Sequence, residues 1–150
     1  AAFIGISESK LDSSINDSEI QIDNFVLLWK DRNRQGGGVV CYIRDDISFT
    51  PLNIFPSQIE NIFVDILLPK TKPFSIGVFY RPPSQNDFID LVSEDFDKLL
   101  PEEKEIYILG DFNINVLLNG KSILDKSKSK ILDSSPMGLL RFFTNGALTR

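Results

Sequence analysis

A single cysteine, Cys41, in 150 residues has nothing to pair with, so no internal disulfide framework staples this chain. One thiol fits a reducing compartment. No run of 18 apolar residues occurs, so no transmembrane helix is indicated. Positive charge is short as well. Against 21 Asp and Glu stand 16 Lys and Arg, a net charge of −5 with a pI near 4.7. A domain that grips nucleic acid mainly by neutralising phosphates carries a basic face, so this balance argues against a tight nonspecific DNA binder. It leaves room for an enzyme whose acids hold a cation at a reacting phosphate. The opening "AAFIGISESK" has no initiating Met, no basic leader and no cleavage pattern, so it does not read as a signal peptide. It starts as though inside a strand, as a piece of a longer chain would. There is no internal repeat and no long low-complexity tract.

With 42% hydrophobic and 25% charged residues the composition is that of a globular domain, and the length suits one domain spanning 1–150. A chain of this size buries roughly 70% of its unfolded surface, so a sizeable core needs no staples. Apolar segments rich in β-branched and aromatic residues recur at Phe3–Ile6, Phe25–Trp29, Gly38–Ile43, Ile62–Leu68, Phe74–Tyr80 and Ile106–Leu109. "GGVVCYIR" and "FSIGVFY" are nearly continuous apolar runs, as strands covered on both faces are. "NIFVDILL" is broken by Asp65, which predicts a less deeply buried face. "LPKTKP" is too short for a helical crossover and predicts a hairpin. "DRNRQGGG" reads as a second reversal through glycines. In "NDFIDLVSEDFDKLL", Phe88, Leu91, Val92, Phe96, Leu99 and Leu100 return at helical intervals, with Asn86 as N-cap and Pro101 as the stop. "GKSILDKSKSKILDSS" reads as an exposed loop or short helix. "SPMGLLRFF" reads as the start of a helix, with Ser135 capping and Pro136 in the first turn. Strands with a covering helix predict a layered α/β domain.

Three strands run into polar clusters. "FIGISESKLD" presents Glu8, "GVFYRPPS" presents Tyr80 and Arg81, and "EIYILGDFNIN" presents Asp111 and Asn113. Ligand sites in layered folds collect where strands stop. Glu8 taken alone is a solvated acid or a hard oxygen ligand for Mg²⁺, which takes one or two carboxylates plus water and phosphate. "YRPP" is a turn, or a phenol and a guanidinium fork for an anionic oxygen. Asp111 and Asn113 share strand parity, so they close an Asx-turn or offer an acceptor and a donor to one face.

The ordered series "SESKLD", "DRNRQGGGVVCYIR", "GVFYRPPS" and "YILGDFNIN" resembles the endonuclease/exonuclease/phosphatase superfamily. More narrowly it resembles the apurinic-endonuclease-like domain of LINE-type non-LTR retrotransposons, from Phe3 to about Asn119. The resemblance implies an α/β (α+β) fold, a four-layer α/β/β/α sandwich, here incomplete at both ends. It implies Glu8 as a metal carboxylate for Mg²⁺, with Mn²⁺ as a substitute. Tyr80 would contact the scissile phosphate region, and Asp111 would position or deprotonate the attacking water. Asn113 would orient the phosphate, and Arg81 would face it more weakly. The implied reaction is phosphodiester hydrolysis, nicking target DNA to leave a 3′-hydroxyl. A reverse transcriptase domain of the same parent polyprotein, in nucleus or cytoplasm and with no membrane involved, would extend it.

The sequence departs from that pattern. It contains no histidine, whereas the family carries a Ser-Asp-His motif near its carboxy terminus, and an asparagine usual near the first strand is missing too. Little or no nuclease activity is therefore expected of the isolated chain, with Glu8 and Asp111 still converging. Two other readings stand beside it. One keeps the fold for an inositol-phosphate phosphatase, sphingomyelinase or RNA deadenylase. The other is a non-catalytic remnant of a decayed element.

Overall fold

In a computed structural model of the chain, residues 1–30, 36–99, 104–111 and 140–144 are described. In chain order the elements are β1 (Phe3–Ser7), α1 (Asp17–Ile20), β2 (Phe25–Lys30), β3 (Val39–Arg44), β4 (Ser48–Pro51) and β5 (Glu60–Leu67). Then come β6 (Phe74–Tyr80), α2 (Phe88–Leu99), β7 (Ile106–Asp111) and β8 (Leu140–Thr144). They make two sheets, a small one ordered β1-β3-β2 and a large one ordered β4-β5-β6-β7-β8. Pairing is antiparallel throughout the small sheet and from β4 to β6. It is parallel from β6 to β8, and between β6 and β7 the chain is carried back across the sheet by α2.

The apolar patterns explain the layering. β3 is the middle strand of the small sheet, and every side chain from Val39 to Ile43 is buried. Val39, Cys41 and Ile43 face inward and meet Ile62, Val64 and Ile66 of β5 and Val78 and Tyr80 of β6, so the two sheets share one core. Gly5 permits the close approach at this interface, since a Cβ there would lie 2.6 Å from Val78 Cγ2. On the far face of the large sheet, Phe63, Phe79, Ile106 and Ile108 pack under Phe88 and Val92 of α2. Phe79 is ringed edge-on by Phe55, Phe63 and Phe88, with centroids 5.1, 6.3 and 6.5 Å away. Burying one such side chain contributes about 1.5–3 kcal/mol. Tyr42 on the outer face of the small sheet donates its hydroxyl to the Ile20 carbonyl at 2.7 Å, and Trp29 Nε1 donates to Asp17 at 2.8 Å. α1 is thus pinned to that face. The described layers run helix, sheet, sheet, helix, an α+β sandwich.

Both strands with continuous apolar runs lie inside their sheets, and the β5–β6 hairpin turns through "LPKTKP" with Lys70 at φ 60°. Asp65 does break β5, yet its carboxylate is half-buried rather than solvated. It accepts Ser75 Oγ at 2.6 Å and Lys104 Nζ at 2.8 Å. The helix begins one residue later than expected, with the Asp87 carbonyl accepting the Leu91 N–H at 3.0 Å, so Asp87 rather than Asn86 occupies the cap position. "SPMGLLRFF" is not the start of a helix where it is described. Leu140–Thr144 is a strand parallel to β7, because a ladder partner outweighs the weak helical signal of a short apolar run. Ser135 and Pro136, and the stretch "GKSILDKSKSKILDSS", lie outside the described residues. Among the described residues no helix is long and apolar enough to cross a membrane.

Candidate active site

The three polar strand ends meet on one rim. In the large sheet Tyr80 is paired with Glu60 on one side and with Asp111 on the other. Tyr80 shares parity with Val78, which faces the small sheet. Its neighbours Glu60 and Asp111 therefore belong to the same inter-sheet face. Tyr80 is 5% exposed, a phenol rooted in the core, whereas Asp111 is half-buried at the last position of β7. The Asp111 carbonyl accepts the Arg81 N–H at 2.9 Å, which carries the β6–β7 ladder one step beyond Tyr80. Gly110 is required just before Asp111, because a Cβ there would strike the backbone carbonyl of Phe79.

Glu8 reaches the same rim from the small sheet. β1 ends at Ser7, opposite Val39, and the next residue turns sharply, with Glu8 at φ 56° and Lys10 at φ 55°. Such left-handed conformations in non-glycine residues are strained and need support. Support comes from the glycines before β3, where Gly38 O accepts the Ser9 N–H at 3.2 Å and Gly37 O accepts the Lys10 N–H at 3.0 Å. The Gly38 N–H in turn donates to Glu60 Oε2 at 2.9 Å, which places the Glu8 end of the small sheet against the Tyr80 end of the large one. Gly36 belongs to the same wall, its Cβ direction pointing to Tyr80 Oη at 4.0 Å.

The Glu8 carboxylate is exposed, with Lys10 Nζ at 3.7 Å, an ion pair too open to fix it firmly. Arg81 Nε donates to the Gln85 carbonyl at 2.9 Å, so part of the guanidinium braces its own loop. Asn113 lies outside the described residues. Glu8, Tyr80, Arg81 and Asp111 are thus brought to one end of the sandwich. Glu60 and the glycines at 36–38 belong there too, although nothing in the sequence flags them beyond an acid opening an apolar run and a glycine triplet.

Among the described residues no group of three or more His, Cys, Asp or Glu could hold a metal ion. A cage of three or more such side chains is therefore not formed by them. Mg²⁺ keeps most of its waters and takes one or two carboxylates with substrate phosphate, and an accessible Glu8 fits that mode.

No protein-family model matches the chain, and no curated protein matches it. Ten solved chains match its structure. One is the crystal structure of ANGEL2, a 2′,3′-cyclic phosphatase, in complex with adenosine-2′,3′-vanadate. Its identity is 12% and its TM-score 0.44, over 80% of this chain and 41% of that one. Another is a second crystal structure of ANGEL2, a 2′,3′-cyclic phosphatase, at 13% identity and TM-score 0.44, over 80% of this chain and 40% of that one. The chain spans about two fifths of the length of these solved chains.

Proposed function

We propose that this chain is the core of a Mg²⁺-dependent phosphodiesterase, a DNA endonuclease of the LINE retroelement type. It would nick a target strand so that a reverse transcriptase of the same parent polyprotein extends the 3′-hydroxyl. One observation carries the reading. Glu8, Tyr80 and Asp111 come from distant parts of the sequence and belong to different strand ends, yet they emerge on a single rim. The motif order "SESKLD", "YRPPS", "GDFN" supports the same assignment.

Each group has a task suited to its surroundings. Asp111, half-buried at a strand end, orients a water and takes its proton as the water oxygen bonds to phosphorus. The bond from phosphorus to the 3′-oxygen breaks, and that oxygen takes up a proton from solvent. Tyr80, held rigid by the core, offers its phenol to a non-bridging oxygen, and Arg81 adds positive charge beside it. Asn113 is assigned the neighbouring phosphate contact by its motif. Glu8 would hold Mg²⁺, which when bound neutralises charge gathering on the phosphate in the transition state. With no histidine in the sequence, hydrolysis by these residues alone is expected to be slow.

The test is plasmid nicking with protein in excess over DNA, with Mg²⁺ or Mn²⁺, on wild type, Glu8→Gln and Asp111→Asn. Slow metal-dependent nicking is expected in wild type, reduced about a hundredfold or to background in each variant. In parallel, Mn²⁺ should broaden the amide signals around Glu8 in wild type and not in Glu8→Gln. Nicking that is indifferent to both substitutions, or no Mn²⁺ effect near Glu8, removes the reading.

A further inference from the structure

Glu8 belongs to the small sheet, while Tyr80 and Asp111 belong to the large one, and the space between the sheets is filled with apolar side chains. Apolar contact is non-directional, so it holds two sheets together more firmly than it fixes their offset. A site with one half on each sheet calls for a directional contact at the rim. Glu60 makes one. Its Oε2 accepts the Gly38 N–H at 2.9 Å in part-buried surroundings, a hydrogen bond strengthened by the carboxylate charge. From Gly38 the tie passes to the Ser9 N–H, and from Gly37 to the Lys10 N–H, the two residues that follow Glu8. On its own sheet Glu60 stands opposite Tyr80, which stands opposite Asp111.

From this relay we infer that Glu60 is a positioning residue for the proposed phosphodiesterase. It ties the glycine segment of the small sheet to the rim of the large one and so sets where Glu8 stands relative to Tyr80 and Asp111. The inference rests on the function proposed above and adds a group that itself touches neither metal nor phosphate. The junction has little slack. Gly38 has φ 82°, and a Cβ on it would lie 2.6 Å from Ser9 Oγ. Ser9 Oγ is buried without a hydrogen-bond partner, so the turn is held here through its backbone. Glu60→Gln keeps an acceptor oxygen at the end of the same side chain. Glu60→Ala removes it and leaves the Gly38 N–H to find water.

The experiment uses the ¹⁵N-labelled chain as wild type, Glu60→Gln and Glu60→Ala. It reads amide exchange and Mn²⁺-induced broadening near Glu8. In Glu60→Ala, exchange at Ser9 and Lys10 should rise about tenfold or more, as local opening without global unfolding. The Mn²⁺ concentration for half-broadening should also rise about tenfold, as expected for the loss of a group supporting a metal ligand. Glu60→Gln should stay near wild type in both, and the core amides of Ile43 and Val78 should keep their protection in all three proteins. Unchanged Mn²⁺ response in Glu60→Ala, in a wild type that does respond, overturns the positioning role alone. Loss of core protection in step with the metal response assigns Glu60 to fold stability and overturns it as well. A wild type with no Mn²⁺ response near Glu8 overturns the proposed function, and the positioning role falls with it.

Discussion

Cys41 sits between the sheets with no exposed surface, and burial pushes its thiol up from 9.0 to about 12. An unfolded chain begins to lose this proton near pH 9, while the folded chain keeps it. The folded state then binds more protons than the unfolded one, so this contribution to stability is complete below pH 9 and is lost as the pH rises towards 12. The expected slope is about 1.4 kcal/mol per pH unit inside that window. Urea unfolding at pH 8 and pH 10.5 should show it in wild type and not in Cys41→Ala, and equal pH dependence in the two would count against it. At this scale the sequence is informative where chemistry follows an apolar run directly. Glu8, Tyr80 and Asp111 each do so, and each lies on the rim. Glu60 escapes notice because its meaning comes from Gly38, 22 residues away on the other sheet, and no local pattern encodes a contact between sheets.

Among the elements, β5 carries the most instructive irregularity. Asp65 interrupts its apolar run, and the neighbouring strand answers with Ser75 directly opposite, while Lys104 approaches from the segment before β7. The Lys104 and Asp65 side chains are 15% and 19% exposed, so neither charge is comfortably hydrated alone. Asp65→Ala is expected to cost about 2 kcal/mol in a denaturant melt, because the ammonium and hydroxyl are left without their shared acceptor. The double variant Asp65→Val, Lys104→Met should recover part of that loss, since it removes both charges together. No recovery would mean that the ion pair itself stabilises the fold. The six segments read from the sequence all became strands, since long apolar or β-branched runs declare themselves. β4 and α1 leave no legible pattern because they are only four residues long. β8 reads as helix in the sequence because its identity depends on β7 lying alongside.

For the molecule as a whole, the mixed pairing of the large sheet predicts an order of assembly. β5 and β6 are joined by a short hairpin, a local contact that closes at small entropic cost. β7 pairs with β6 only after α2 has crossed the sheet, and β1 must find β3 across α1 and β2. Val64→Ala in the hairpin should therefore mainly slow refolding, whereas Ile108→Ala in β7 should mainly speed unfolding. Stopped-flow chevrons separate these outcomes, and the reverse partition would sink the order. If it holds, Tyr80 gains its Glu60 neighbour early and its Asp111 neighbour late. A chain emerging during synthesis would then pass through a stage that is partly ordered but lacks a complete rim, with the carboxylate proposed to activate water delivered only when the crossover closes.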